Sequence, residues 1–181
     1  MRSSIGTRLE AAVGDRGASP MLDLYVDGDA CPVKDEVYRV ALRHDLKVYV
    51  VSDGALRASA PGRVEFIRVR QGWNAADDWI AERAREGDIA VTSDIPLADR
   101  CLKNGARVVA PNGRVFTEDS IGEALAKREL MEHLRQMGAI TGGPSPFVPA
   151  DRSRFLARLE ETIQAIRRRY QQKGAPPKRC P

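Results

Sequence analysis

Residues 22–41 constrain the fold of this 181-residue chain more than any other segment. An apolar, β-prone run leads directly into the acidic turn Asp27-Gly28-Asp29, and the residues after Pro32 have the pattern of a helix. Two carboxylates therefore lie at the carboxyl end of a first strand, where open α/β sheets bind their ligands. Neighbouring anions repel each other, and burying them is costly unless a cation or a proton compensates. Hard oxygen ligands favour Mg²⁺ or Mn²⁺ as that cation.

The alternation of strand and helix continues along the chain. Each candidate strand is short, rich in Val, Ile or Leu, and bounded by Gly, Pro, Asn or Asp. Such strands are typical of a parallel sheet that is buried on both faces. The sequence therefore predicts a three-layer α/β fold, in which helices flank a mostly parallel five-stranded sheet, with an extra C-terminal helix. The predicted strands are 22–26, 47–51, 64–69, 89–92 and 107–109, and the predicted helices are 34–44, 75–85, 96–103, 118–137 and 152–170.

Composition divides the chain into three parts. Residues 1–20 lack the apolar stretch of a secretory signal, so we expect a disordered N-terminal extension. Residues 21–166 should form the α/β domain, including its C-terminal helix. Residues 151–181 hold nine basic and three acidic side chains, a net charge of +6, whereas the rest of the chain carries −2. We expect 167–181 to be a basic, flexible tail that either solubilises the protein or contacts a phosphate backbone.

The cysteines and histidines exclude some classes of site. Three cysteines without framework spacing indicate free thiols in a reducing, cytoplasmic environment. A zinc site is improbable because the two histidines, His44 and His133, are far apart in the sequence. Cys31 lies near a helix N-terminus, but no histidine is close in the sequence to act as its base, so we interpret it as a small buried residue. No apolar run approaches the roughly 20 residues that span a bilayer, so we expect no membrane partner.

Acidic residues recur at places that a parallel sheet brings together. One pair opens the helix before the fourth strand, and another acidic residue closes that strand. With the first strand beside the fourth, these groups and the first acidic turn converge on one edge of the sheet. Such a cluster can hold divalent cations that support phosphodiester cleavage. The predicted metal ligands are Asp27, Asp29, Asp77, Asp78, Asp94 and Asp99, of which Asp27, Asp29 and Asp94 are also the predicted catalytic residues.

Each acidic residue also has a structural interpretation that needs no ligand. Asp77 and Asp78 would complement the positive end of a helix dipole, and Asp94 would cap the next helix. Asp99 would pair with Lys103 at i+4. Taken jointly, however, the acidic residues favour a shared metal or polar site, because strand ends inside a sheet are not freely solvated.

Basic, polar and aromatic residues beside the same edge are candidates for binding a substrate. Lysine and arginine side chains can hold a phosphate, a hydroxyl can hydrogen-bond a ligand, and an indole ring can stack on a base. Each of them can equally be an ordinary surface or core residue, and Gly142-Gly143 is only a weak signal for an anion site. The predicted substrate-binding residues are Lys34, Ser52, Arg57, Trp73, Arg152 and Arg154.

At these residues the chain resembles the bacterial YaiI/YqxD family, which belongs to the PIN-like group of folds. The matching segments are 26–36, 75–81, 87–98, 117–125, 141–144 and 151–156, in that order. The resemblance implies a PIN-like domain with a metal-dependent ribonuclease site. Transferred residue by residue, that site comprises Asp27, Asp29, Asp77 or Asp78, and Asp94, with Asp99 as a further candidate.

Three functions are consistent with the sequence. The first is a cytoplasmic, Mg²⁺- or Mn²⁺-dependent nuclease that acts on RNA or another phosphate-containing substrate. The second is a phosphatase or phosphotransferase, because the acidic turn resembles that of haloacid-dehalogenase-type enzymes, in which the first aspartate attacks phosphorus. The third is a non-catalytic RNA-binding protein that uses its basic C-terminal part. A homodimer is one option for the oligomeric state.

Overall fold

The computed structural model of the chain describes residues 22–29, 31–54, 60–69, 72, 74–139 and 146–173. Within these ranges, helices flank both faces of a six-stranded sheet, which confirms the predicted three-layer α/β class. The strands are β1 (Asp23–Asp27), β2 (Lys47–Ser52), β3 (Arg63–Arg68), β4 (Ile89–Val91), β5 (Arg107–Val109) and β6 (Val115–Phe116). The helices are α1 (Lys34–His44), α2 (Ala75–Arg83), α3 (Ile95–Lys103), α4 (Glu118–Gln136) and α5 (Pro149–Lys173).

The order of the strands creates a crevice beside β1. The sheet runs β3-β2-β1-β4-β5-β6, and its first five strands are parallel. Strands β2 and β3 lie on one side of β1, and β4, which comes next in the chain, lies on the other side of β1. The connections after β1 and β4 therefore leave the sheet in opposite directions. Open α/β sheets bind ligands at such a switch point, outside the carboxyl ends of the strands.

The prediction of five strands is wrong by one. The additional strand, β6, has two residues and pairs antiparallel with β5, with Val108 opposite Phe116. A tight turn connects the two strands and places Gly113 at a φ of 82°. A strand of two residues has no alternating pattern of its own, and it forms only because this turn returns the chain to the edge of the sheet.

The core has one layer on each side of the sheet. On one side, α1 and α5 cover β1 and its neighbours, and on the other side lie α2, α3 and α4. All five residues of β1 are buried, as expected for a central parallel strand. The apolar side predicted for the last helix is confirmed, because its five members are all buried: Phe155, Leu159, Thr162, Ile163 and Ile166.

Helix α5 extends beyond the predicted domain boundary at residue 166. Arg167 donates to the carbonyl of His44 at 2.9 Å, and the hydroxyl of Tyr170 donates to the carbonyl of Glu86 at 3.2 Å. These contacts involve residues 167–170, which the sequence assigns both to the last helix and to the start of the flexible tail, and α5 continues to Lys173. The predicted N-terminal extension, residues 1–20, and positions 174–181 of the predicted tail lie outside the described residues. None of the described helices combines the length and the apolar composition needed to cross a membrane.

Candidate functional site

A hydroxyl group connects two of the predicted site residues across the switch point. Asp27 ends β1 and is only 8% exposed, while Thr92 directly follows β4. The Thr92 hydroxyl donates to Oδ2 of Asp27 at 3.2 Å and accepts from the backbone N–H of Asp94 at 3.0 Å. Asp94 in turn accepts from the N–H of Leu97 at 2.8 Å, which confirms its predicted role as the cap of α3. Two carboxylates are thus fixed at neighbouring strand ends.

A third carboxyl group joins them from the first turn of α2. Burial and, to a lesser degree, the negative charges of Asp94 and Asp27 raise the pKa of Asp77 to about 6, against the opposing charge of Arg100. Asp77 therefore lies within the electrostatic field of both strand-end carboxylates. Asp27, Asp77 and Asp94, which we call the acidic cluster, come from three separate segments of the chain, and the charges of Asp27 and Asp94 act on Asp77.

Asp29 connects the loops after β1 and β2. Its backbone N–H donates to Oδ1 of Asp27 at 3.3 Å. Its carboxylate accepts hydrogen bonds from the hydroxyl of Ser52 and, at 3.2 Å, from the N–H of Asp53. Both oxygens of Asp29 are thus engaged by the last residue of β2 and the residue that follows it.

Gly28 and Lys34 fix the turn after β1. The N–H of Gly28 donates to the carbonyl of Val51 at 2.7 Å, and a Cβ at position 28 would lie 2.8 Å from that oxygen. Only glycine allows the two backbones to approach so closely. On the other side of the turn, the ammonium group of Lys34 donates to the carbonyl of Gly28. The turn therefore holds a cation next to the acidic cluster.

Two predicted metal ligands have other partners. Asp78 forms an ion pair with Arg100 at 2.8 Å, and Asp99 forms one with Lys103 at 2.6 Å. The second pair has the i,i+4 spacing that the structural interpretation of Asp99 requires. Asp78 contributes only the weakest of the repulsions that raise the pKa of Asp77. Asp78 therefore lies at the margin of the acidic cluster, whereas the partner of Asp99 is Lys103 rather than a member of the cluster.

The described residues do not form a complete metal site by themselves. No three acidic, histidine or cysteine side chains within the described ranges are grouped so that they could hold an ion by themselves. Mg²⁺ commonly binds through one or two carboxylates and completes its shell with water and substrate phosphates. The hard oxygens of Asp27 and Asp94 suit that mode of binding.

The two predicted arginines of α5 both form ion pairs. Arg152 donates to Glu36 at 2.8 Å and lies over the ring of Phe147, 5.4 Å from its centre. Arg154 pairs with Asp151 one turn away. The other predicted substrate-binding residues, Arg57 and Trp73, lie outside the described residues, as does Gly142-Gly143.

Sequence reasoning missed Glu36 and Arg100. Glu36 is only 3% exposed, and although burial alone would raise its pKa, the hydrogen bond from Arg152 and the charges of Arg152 and Arg39 lower it overall. The i,i+3 spacing of Glu36 and Arg39 suggests only a surface pair, because the sequence does not reveal a partner 116 residues away. Arg100 lies at the edge of the acidic cluster, where the partner Asp78 holds it.

Cys31 is buried beside the site, as the sequence predicts. Burial raises the pKa of its thiol to about 12, so very little thiolate exists at neutral pH. Cys101 is also buried and its pKa is likewise raised to about 12. Both described cysteines are free thiols.

Comparison with known proteins identifies the family. The model of the family described as "Uncharacterized BCR, YaiI/YqxD family" matches residues 25–165. The chain belongs to this family. The matched region of this YaiI/YqxD protein contains the whole acidic cluster, both loops that meet at Asp29, and most of α5.

Bacterial relatives cover nearly the same region. UPF0178 protein bll3966 of Bradyrhizobium diazoefficiens is 59% identical over 146 residues, which are 81% of this chain and 87% of the relative. UPF0178 protein RC1_2062 of Rhodospirillum centenum is 58% identical over 152 residues, 82% of this chain and 99% of the relative. A UPF0178 protein of Nitrobacter winogradskyi is 58% identical over 145 residues, 80% of this chain and 92% of the relative. No solved structure matches the chain.

Proposed function

We propose that this YaiI/YqxD protein is a divalent-metal-dependent nuclease that hydrolyses phosphodiester bonds of RNA at the acidic cluster. One observation carries the proposal: at the switch point of the sheet, the hydroxyl of Thr92 contacts both the carboxylate of Asp27 and the backbone N–H of Asp94. The raised pKa of Asp77, to which burial and the charges of Asp94 and Asp27 contribute, supports it. Three acidic groups that share a partly buried site favour the binding of a cation. Perturbed pKa values in a crevice at a switch point are typical of functional sites.

The residues of the acidic cluster have distinct roles in this proposal. Asp27 and Asp94 would hold Mg²⁺ or Mn²⁺, and Asp77 would join them once it is deprotonated. When bound, such a cation activates water and stabilises the charge that develops on the phosphate oxygens. Thr92 orients both strand-end residues, because its hydroxyl contacts the Asp27 carboxylate and the Asp94 backbone at the same time.

Cations around the acidic cluster would bind the phosphates of the substrate. Lys34 is held at the turn after β1, and Arg100 lies beside Asp78 with 41% of its side chain exposed. Arg152 is held by Glu36 and is 47% exposed. These positive charges would offset the repulsion between the acidic cluster and a polyanion. RNA is proposed as the substrate because the family resembles PIN-like ribonucleases.

Cleavage of labelled single-stranded RNA in the presence of Mn²⁺ tests the proposal. The wild-type protein should cut the RNA, EDTA should stop the reaction, and Asp27→Asn or Asp94→Asn should reduce the rate by at least 100-fold, by analogy with the loss of an essential metal ligand. Asp99→Asn is the matched control, since it removes an aspartate that pairs with Lys103 outside the acidic cluster. Cleavage that persists in the double variant Asp27→Asn/Asp94→Asn would come from another site or from a contaminant.

The wild-type protein and these variants also test the two alternative functions, a phosphatase and a non-catalytic RNA-binding protein. Hydrolysis of phosphomonoesters without cleavage of RNA, abolished by Asp27→Asn, would favour a phosphatase in which Asp27 is the nucleophile. Binding of RNA without any hydrolysis would favour a non-catalytic RNA-binding protein. Either result would contradict the proposed nuclease.

A further inference from the structure

The two edges of the sheet differ in how far they are protected against pairing with another strand. At one edge, β6 has only two residues, and such a short strand offers little backbone to a partner. At the other edge, β3 pairs with β2 over six consecutive residues without a bulge, and it contains no proline. No strand among the described residues pairs with the outer side of β3, which we call the β3 edge. Long and regular edges of this kind are templates for pairing with another chain.

A hydrogen bond at the end of β3 shows which of its backbone groups face outward. The N–H of Val69, the residue directly after the strand, donates to the carbonyl of Ser52 at 3.0 Å. The odd-numbered residues therefore direct their N–H and C=O groups toward β2. Because these groups alternate in direction along a strand, those of Val64, Phe66 and Arg68 point away from the sheet. They are the donors and acceptors that the β3 edge offers to a partner.

Apolar side chains accompany the β3 edge on both faces of the sheet. Val64 and Phe66 lie on the face of α1 and α5, whereas Ile67 and Val69 lie on the face of α2, and all four are only partly buried. Leu42 of α1, which lies at the amino end of the strand, is 56% exposed. A strand that paired with β3 would cover part of this apolar surface, so the hydrophobic effect adds to the backbone hydrogen bonds in favouring a partner.

The three outward residues can pair with a second copy of themselves. A two-fold axis perpendicular to the sheet at Phe66 sets Phe66 opposite Phe66 of the second copy, and Val64 opposite Arg68 of the second copy, in an antiparallel ladder. All three outward residues are then used on both strands, and the ladder has about six N–H···O=C hydrogen bonds. The ring of Tyr38, 6.5 Å from that of Phe66, is close to the axis on the same face.

Charge and strand length select this register over the neighbouring ones. Opposite residues of an antiparallel pair share a face of the sheet, so a two-fold axis must pass through a residue of the strand. An axis at Glu65 would set two glutamates directly opposite each other, which is unfavourable. An axis at Ile67 would leave Val64 without a partner inside β3. With the axis at Phe66, every charged residue of β3 lies opposite an apolar one, and no like charges meet.

We infer that the protein forms a two-fold symmetric homodimer in which the β3 edges of two copies pair antiparallel into one continuous sheet. The partner is a second copy because one register pairs all the outward residues of β3 with each other. This inference does not rest on the proposed nuclease function. Antiparallel pairing directs the carboxyl edges of the two sheets in opposite directions, so each acidic cluster is complete within its own copy.

Sedimentation velocity of the full-length protein over a series of concentrations tests the inference. The wild type should sediment with the mass of two chains and dissociate on dilution. Arg68→Pro removes an outward N–H, and proline is tolerated at such positions of an edge strand. It should raise the dissociation constant of the dimer by about 10-fold or more, because the hydrogen bond is lost on both strands. Arg68→Ala is the matched control, since it removes the same exposed side chain but keeps the N–H, and it should dimerise as the wild type does.

A disulfide across the axis tests the register. In Phe66→Cys the two thiols belong to directly opposite residues, whose Cα atoms are about 5.5 Å apart in a hydrogen-bonded antiparallel pair, a distance that a disulfide spans. Mild oxidation in a Cys180→Ser background should therefore give a covalent dimer. Arg68→Cys is the control, because its two copies lie about 13 Å apart along the strands and should remain reduced. Thermal unfolding of each reduced variant at the wild-type temperature shows that the fold is intact.

Three results would overturn the inference. They are a wild type that is monomeric at every concentration, equal dimerisation of Arg68→Pro and Arg68→Ala, and equal cross-linking of Phe66→Cys and Arg68→Cys. These outcomes are distinguishable from failure of the proposed function. A dimer with these properties that does not cleave RNA supports the β3 edge and contradicts the nuclease, whereas a monomer that cleaves RNA does the reverse.

Discussion

The hydroxyl of Thr92 donates a hydrogen bond to the carboxylate of Asp27, 65 residues away in the chain. The two residues leave neighbouring parallel strands at the switch point of the sheet. Because the same hydroxyl accepts from the backbone N–H of Asp94, one threonine connects the two strand-end residues. In metalloproteins, groups that orient the metal ligands tune the affinity of the site without contacting the metal.

Replacement of Thr92 should weaken metal binding more than it weakens the fold. Thr92→Val keeps the shape of the side chain but removes the hydrogen bond to Asp27, so we expect Mn²⁺ affinity to fall about 10-fold or more, as for other residues that orient metal ligands. Thr92→Ser keeps the hydroxyl and should retain most of the affinity. Calorimetric titration with Mn²⁺ measures both variants. Equal affinities in Thr92→Val and wild type would show that the hydrogen bond has no role in metal binding.

The stability of the metal-free protein should depend on the protonation of Asp77. Its pKa is raised from 3.8 to about 6 in the folded state, so the native protein holds this proton more tightly than the unfolded chain does. The stabilisation is present below pH 4 and is lost as the pH rises through 6. Asp77→Asn, which cannot ionise, should therefore raise the Tm at pH 8 but not at pH 4.

The control for this prediction is Asp99→Asn, which removes a carboxylate that pairs with Lys103. Its effect on the Tm should show no such rise between pH 4 and pH 8. Mn²⁺ added at pH 8 should stabilise wild type more than Asp77→Asn, because only wild type presents the third charge to the cation. An Asp77→Asn effect that is independent of pH would contradict a shared electrostatic site.

Glu36 should stabilise the contact between α1 and α5. It is buried and accepts hydrogen bonds from Arg39 and Arg152, so Glu36→Ala should lower the free energy of unfolding by about 1–2 kcal/mol at neutral pH. The arginines are partly exposed, which keeps the loss below that of a fully buried ion pair. The pKa of Glu36 is lowered in the folded protein, so its contribution is present above 4.5 and is lost as the pH falls through the folded pKa. Urea denaturation of Glu36→Ala and Glu36→Gln over this pH range measures the effect.

Replacing Gly113 and Gly122 by alanine should change the stability of the protein in opposite directions. Gly113 has a φ of +82°, and a Cβ there would lie 2.8 Å from the Cβ of Arg154, so Gly113→Ala should destabilise the protein by about 2 kcal/mol. Gly122 lies in α4 with no atom within 4 Å of an added Cβ, so Gly122→Ala should stabilise it by about 0.5–1 kcal/mol. Chemical denaturation of both variants checks the contrast. A stabilising Gly113→Ala would mean that β6 and its turn do not pack on α5 as described.

Local patterns along the chain were sufficient to predict the class of fold and most of its helices and strands. Short apolar runs bounded by turn residues predict parallel strands, because a strand buried on both faces must be apolar throughout, as β1 is. The apolar spacing of the last helix predicts its buried side, because residues three and four positions apart lie on one face of a helix. The two-residue strand β6 could not be predicted, since its pairing depends on a turn rather than on a pattern.

The sequence by itself determined that carboxylates would end adjacent parallel strands, since that follows from the order of strands and the residues after them. Only the tertiary structure decided which carboxylates share a site. Asp77 and Asp78 are adjacent in the chain, yet the helical twist directs one to the acidic cluster and the other to Arg100. Contacts between residues distant in sequence, such as Glu36 with Arg152, likewise depend on how the layers pack. The charge and burial that a residue experiences depend on all the segments packed around it, so one segment of the sequence does not determine them.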